Sequence, residues 1–92
     1  MCHYIYFMES QKTFQVYVGR TDKDPKTRIN EHNNGQSTWS SSRRPFKLIY
    51  FEKYLCKADA IQRELFYKSG FGKLIKKSIM YVLIHSGRSS DG

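Results

Sequence analysis

In the stretch FQVYVGRTDKDPKTRINEHNNG, residues 14–35, a tyrosine, an arginine and a histidine fall between glycines. Tyr17 carries a phenolic hydroxyl that donates or accepts. Arg28 and His32 stand at i and i+4, so on a helix they share a face. Arg28 holds a permanent charge on a planar fork, and His32 exchanges a proton near neutrality. Such groups can hold an anion and move a proton; the same residues also read as a solvated polar face. Tyr6, in an earlier aromatic segment, either joins Tyr17 off the apolar face of a sheet or is an ordinary strand aromatic. Glu64 stands beside an apolar helical stripe. A carboxylate there is solvated, paired with Lys68 at i+4, or committed to a cation.

The elements that would position these residues are legible in order. HYIYFM at 3–8 is aromatic and β-branched, a strand. FQVYVGR at 14–20 alternates Phe14, Val16 and Val18 with Gln15, Tyr17 and Gly19, a second strand joined to the first as a hairpin. The turn register decides whether Tyr6 and Tyr17 face each other. Asp24-Pro25 opens a helix over 25–33 with Ile29 as its core anchor, and Asn33-Asn34-Gly35 stops it. QSTWSSSRRP at 36–45 reads as a surface loop. FKLIYFEKY at 46–54 is a third strand. A helix over 57–70 carries the stripe Ala58, Ile61, Leu65 and stops at Gly70; a short helix, FGKLIKKSIM, follows. The expected fold is α+β: a small antiparallel three-stranded sheet flanked by helices, order β-β-α-β-α-α. One domain spans 1–84, and 85–92 has the composition of a flexible tail.

With 39% apolar and 15% aromatic residues the chain can fold around a small core. Sixteen Lys+Arg against eight Asp+Glu give a net charge of +8, which favours a polyanionic partner, nucleic acid above an anionic membrane. Arg20, Arg43, Arg44, Lys47, Lys68 and Lys73 are the candidate nucleic-acid contacts, and Trp39 either stacks on an unpaired base or tucks into the core. No signal peptide or membrane span is evident, and Cys2 and Cys56 make neither a metal spacing nor a disulfide framework. The expectation is buried free thiols in a reducing, cytoplasmic compartment, with no membrane partner and a monomer or weak homodimer.

YIY at 4–6, YVG at 17–19, then Arg28, His32 and Glu64 resemble the GIY-YIG nuclease superfamily. RRPFKLIYFEKY looks like its third strand and ADAIQRELFYK like the helix that carries its metal-binding glutamate, so the likeness covers residues 3–77. Small stand-alone members and the nuclease domains of structure-specific branched-DNA endonucleases are the most similar kinds. The resemblance implies a metal-dependent endonuclease hydrolysing phosphodiester bonds in DNA, with RNA a further possible substrate. It implies one divalent ion, Mg²⁺ or Mn²⁺, on Glu64, and Arg28 on the phosphate oxygens. Tyr6 or His32 would be the general base, with nearby cations lowering the Tyr6 pKa. Tyr17 would position phosphate or water, and Gly19 would be a structural motif residue. Tyr4 replaces the first motif's glycine, and GKLIKK offers no counterpart to an asparagine found in some members. The rival reading is a non-catalytic nucleic-acid-binding module on the same fold.

Overall fold

The computed structural model describes residues 2–35 and 42–90, with side chains described to residue 83. Trp39 lies outside the described residues. Strand β1, His3–Ser10, is the middle of a three-stranded antiparallel sheet of order β2-β1-β3, between β2, Val16–Thr21, and β3, Phe46–Tyr54. Helix α1 is Pro25–Asn33, α2 is Lys57–Lys68, and α3 is Gly70–Ser90. The order is β-β-α-β-α-α as expected.

The hairpin is tied by Ser10, whose backbone N–H donates to Gln15 and whose hydroxyl accepts from the amides of Lys12 and Thr13. This shortens β2 by comparison with the sequence reading. Phe14 belongs to the turn, at φ 61° and exposed, so only Val16 and Val18 turn inward from that segment.

Both faces of the sheet are covered. On one, Ile5 and Phe7 pack with Ala60 and Tyr67 of α2 and with Ile75, Ile79 and Met80 of α3. On the other, Tyr6, Met8 and Phe46 pack with Ile29 of α1. Asp24 caps α1 by accepting from the Lys26 amide, with Pro25 in the first turn. Asn33 closes it: its side chain exchanges two hydrogen bonds with the Phe46 backbone, at 2.6 and 3.0 Å, and so fastens the helix end to the start of β3.

Helix α2 departs from its expected stripe. Ala58 and Leu65 are exposed and Ile61 half-buried, while Ala60 and Tyr67 face the sheet. Polar demands settle the rotation. Glu52 of β3 accepts hydrogen bonds from Tyr50, Tyr54, Tyr67 and Arg63, which fixes Tyr67 and Arg63 inward. Burial pushes the Glu52 carboxyl up, but these donors outweigh it and hold it below the ordinary value. The partners pay in kind: burial and the carboxylate push Tyr50 and Tyr54 up to about 12.

Ser69, rather than Gly70, ends α2. Its hydroxyl donates to the Phe66 carbonyl and accepts from the Gly72 amide, so one side chain closes α2 and opens α3. Gly72 passes so near the Phe66 carbonyl that a Cβ there would overlap it. Because the apolar pattern of 75–83 continues the α3 periodicity, the short helix expected there is a long one that runs on to Ser90. The cysteines are not buried: Cys56 caps α2 at the surface and Cys2 is half-buried. Among the described residues no helix is long and apolar enough to cross a membrane.

Candidate active site

Strand β2 is an edge, and the candidate residues gather around it from both sides of the sheet. The pairing sets Tyr6 opposite Gly19 and Tyr17 opposite Met8, so the two tyrosines share the α1 face on a diagonal. Gly19 is what lets the Tyr6 ring lie across β2. A Cβ there would overlap the Tyr6 hydroxyl and ring.

From α1, His32 reaches the same point. Its Nε2 lies 3.2 Å from the Tyr6 hydroxyl, and both side chains are buried. Arg28, one turn earlier, lies beside that hydroxyl and donates from Nη1 to Glu31 Oε1 at 3.0 Å; Lys23 holds the other Glu31 oxygen at 2.6 Å. The Arg28–His32 face is thus turned toward the site rather than solvated.

On the far side of the sheet, Arg20 points to the α2 face, where its Nε donates to Glu64 Oε1 at 3.2 Å. Lys68 holds the other Glu64 oxygen at 3.0 Å, so the i,i+4 pair is formed. The two sides meet in a cleft of about 480 Å³ that wraps the β2 edge and takes in Tyr6, Tyr17, Arg28, His32 and Glu64.

Charge and burial set the proton chemistry. Burial pushes the Tyr6 hydroxyl above its ordinary value of 10; Arg28 pulls it down, and the charges of Glu64 and Glu31 add to the rise. Arg28 does pull the hydroxyl down as expected of a cation, but desolvation of a phenolate outweighs that one guanidinium. Burial and the Arg28 charge hold His32 below its ordinary 6.5. At neutral pH the pair is therefore a phenol beside a neutral imidazole, and in the Nδ1–H tautomer Nε2 can accept the phenol proton.

Of the candidate nucleic-acid residues, Arg20, Lys68 and Lys73 line the cleft. Arg43, Arg44 and Lys47 do not: Arg44 donates to the Asn33 carbonyl, and Lys47 pairs in register with Glu9. Tyr17 lines the cleft with its ring against Phe46 and its hydroxyl on Gln15, 2.7 Å away. Sequence reasoning missed Glu31. Its spacing of three from Arg28 was the available signal, since i,i+3 ion pairs share a helix face. Lys76 also lines the cleft, donating to the Val16 carbonyl on the β2 edge.

The donor chemistry fits one hard cation. Among the described residues no three His, Cys, Asp or Glu groups converge. The single carboxylate among the described residues of the cleft, Glu64, is the residue that would hold such an ion.

Residues 2–78 match the family model described as the GIY-YIG catalytic domain. A UPF0213 protein of Staphylococcus saprophyticus is 41% identical over 63 residues, which are 67% of this chain and 74% of that protein. A UPF0213 protein of Staphylococcus epidermidis is 35% identical over a stretch of the same length and coverage. The solution NMR structure of a UPF0213 protein from Bacillus halodurans aligns with a TM-score of 0.52 at 29% identity, covering 86% of this chain and 85% of that one.

Proposed function

The chain belongs to the GIY-YIG family of nuclease domains, and on that premise we propose that it is a divalent-metal-dependent endonuclease that hydrolyses phosphodiester bonds in DNA. The observation that carries this reading is the cleft at the β2 edge, where the Tyr6–His32 pair, Arg28 and Glu64 converge. Each supplies one need of the reaction. Arg28, held by Glu31, offers a fork of donors to phosphate oxygens as their charge rises. The Tyr6 hydroxyl stands in the cleft as proton acceptor for a water, and its own proton passes to His32 Nε2. Neutral imidazole is the form that can receive it. Glu64 would hold Mg²⁺ or Mn²⁺, which when bound supplies Lewis-acid neutralisation at phosphorus and the leaving oxygen. Tyr17 and the cleft lysines Lys68 and Lys73 hold the backbone of the nucleic acid.

The test is incubation with labelled branched, flapped and linear DNAs, with and without Mg²⁺ or Mn²⁺. Metal-dependent cuts are expected, and Glu64→Gln and Tyr6→Phe should each lose a factor of about 10²–10⁴ in turnover while still binding DNA. Binding of every substrate with no cut in any metal would overturn the reading in favour of a binding module.

A further inference from the structure

Both oxygens of Glu64 already face cations in the free protein. Arg20 reaches Oε1 from the edge strand and Lys68 reaches Oε2 from one turn along α2. The Arg20 pair is the more enclosed, with 31% of the Arg20 side chain exposed against 53% for Lys68. A divalent ion held by this carboxylate would have to compete with both cations for its oxygens. It would arrive where two positive groups already sit within hydrogen-bond distance.

Arg20 has somewhere else to go. It lines the β2-edge cleft and also a neighbouring one of about 310 Å³, where Lys23, Arg28 and Lys57 outnumber the carboxylates Asp22 and Glu31. Only its Nε–H is committed to Glu64, and among the described residues its terminal N–H groups have no partner. A phosphate entering either cleft meets a guanidinium that can fork onto it.

We infer that Arg20, supported by Lys68, is the counter-ion that withholds Glu64 from a divalent ion until a phosphate draws the guanidinium away, so that nucleic acid and metal bind with positive coupling. The inference rests on the proposed nuclease function for the identity of the polyanion. Arg20 is then a positioning residue, acting through Glu64. Linkage makes the coupling reciprocal: DNA raises metal affinity by the factor by which metal raises DNA affinity.

The experiment reads Mn²⁺ binding to the free protein by the EPR signal of unbound Mn²⁺. Arg20→Gln should bind Mn²⁺ about tenfold more tightly than wild type, within the usual range of coupling between sites. Lys68→Ala, at a more exposed position that tolerates change, should gain by a smaller factor, and Glu64→Gln should lose binding. A labelled duplex with phosphorothioate linkages, followed by fluorescence anisotropy at constant ionic strength, reads the coupling. Mn²⁺ should raise its affinity for wild type about tenfold and for Arg20→Gln hardly at all. Equal or weaker Mn²⁺ binding by Arg20→Gln overturns the inference, as does Mn²⁺ binding by neither protein or a coupling unchanged by the substitution. A wild type that cuts DNA while Arg20→Gln gains nothing removes the counter-ion and leaves the nuclease. The gain without cleavage of any nucleic acid keeps the counter-ion and removes the nuclease.

Discussion

Gly19→Ala tests the geometry on which the site depends. The new methyl group would occupy space held by the Tyr6 hydroxyl and its ring. The β2 backbone at Gly19 is ordinary, so no left-handed conformation is at stake and the contact alone sets the cost. In an open strand the exchange of glycine for alanine stabilises by about 0.5–1 kcal/mol, because glycine loses more chain entropy on folding. Here overpacking against a buried ring costs roughly 1–3 kcal/mol. Displacing the Tyr6 hydroxyl from His32 adds about 1 kcal/mol for the hydrogen bond. The contact dominates and the net effect is a loss of roughly 1–3.5 kcal/mol, or about 5–25 °C in Tm for a domain of this size. A double-mutant cycle isolates it. In a Tyr6→Leu background the atoms that the methyl group meets are gone, so Gly19→Ala should be neutral or slightly stabilising. Chemical denaturation of the four proteins gives the coupling energy. An equal cost in both backgrounds would mean that β2 itself is strained and that Gly19 makes no room for Tyr6.

Two further predictions follow from the charges. With the His32 pKa depressed, activity should fall on an acid limb below pH 6.5, and His32→Ala should abolish that limb; stability follows the same sign, full above the unfolded pKa of about 6.5 and lost as pH falls through the lower folded value, which unfolding at pH 5 and pH 7.5 would show. On duplex DNA, Lys68→Ala with Lys73→Ala should flatten the plot of log affinity against log salt by about two units, and Arg43→Ala with Arg44→Ala by less, since only the first pair lines the cleft; the reverse ranking would move the DNA path to the loop before β3.

What the sequence revealed and what it hid divide along local and long-range lines. Helix α1 was readable to its ends because Asp24, Pro25 and Gly35 act on their immediate neighbours. Strand β3 was readable because Phe46, Ile49, Tyr50, Phe51 and Tyr54 crowd β-formers into nine residues with no competing period. Helix α2 was readable as a helix, but its buried face was not. The stripes 58–61–65 and 60–67 both fit a helical period, and the choice between them was made by Glu52 and Arg20 on strands far away in sequence. A carboxylate that must collect four donors selects the rotation that brings Tyr67 and Arg63 inward, at the expense of exposing Leu65. The start of β2 was hidden for a related reason. Phe14 has the composition of a strand, but the closure of the turn on Ser10 places it outside the ladder.

The site was legible as a set of residue types and illegible as chemistry. Parity alone could put Tyr6 and Tyr17 on one face; only the register showed Tyr6 opposite a glycine, with its hydroxyl delivered to a histidine 26 residues away. That delivery changes which group is available for proton transfer. A tyrosine beside an arginine in water would have its pKa lowered, and on residue types alone Tyr6 and His32 were alternative bases. The same burial that places Tyr6 accurately raises its pKa and lowers that of His32. Each shift works against one residue acting by itself: the phenol resists ionising, and the imidazole is less basic than usual. Together they favour one arrangement, in which the phenol gives up a proton only as it gains another and the imidazole is unprotonated and ready at neutral pH. The tight packing that makes Gly19 indispensable is therefore also what binds the two residues into one unit, and the cost of Gly19→Ala should appear in turnover as well as in stability.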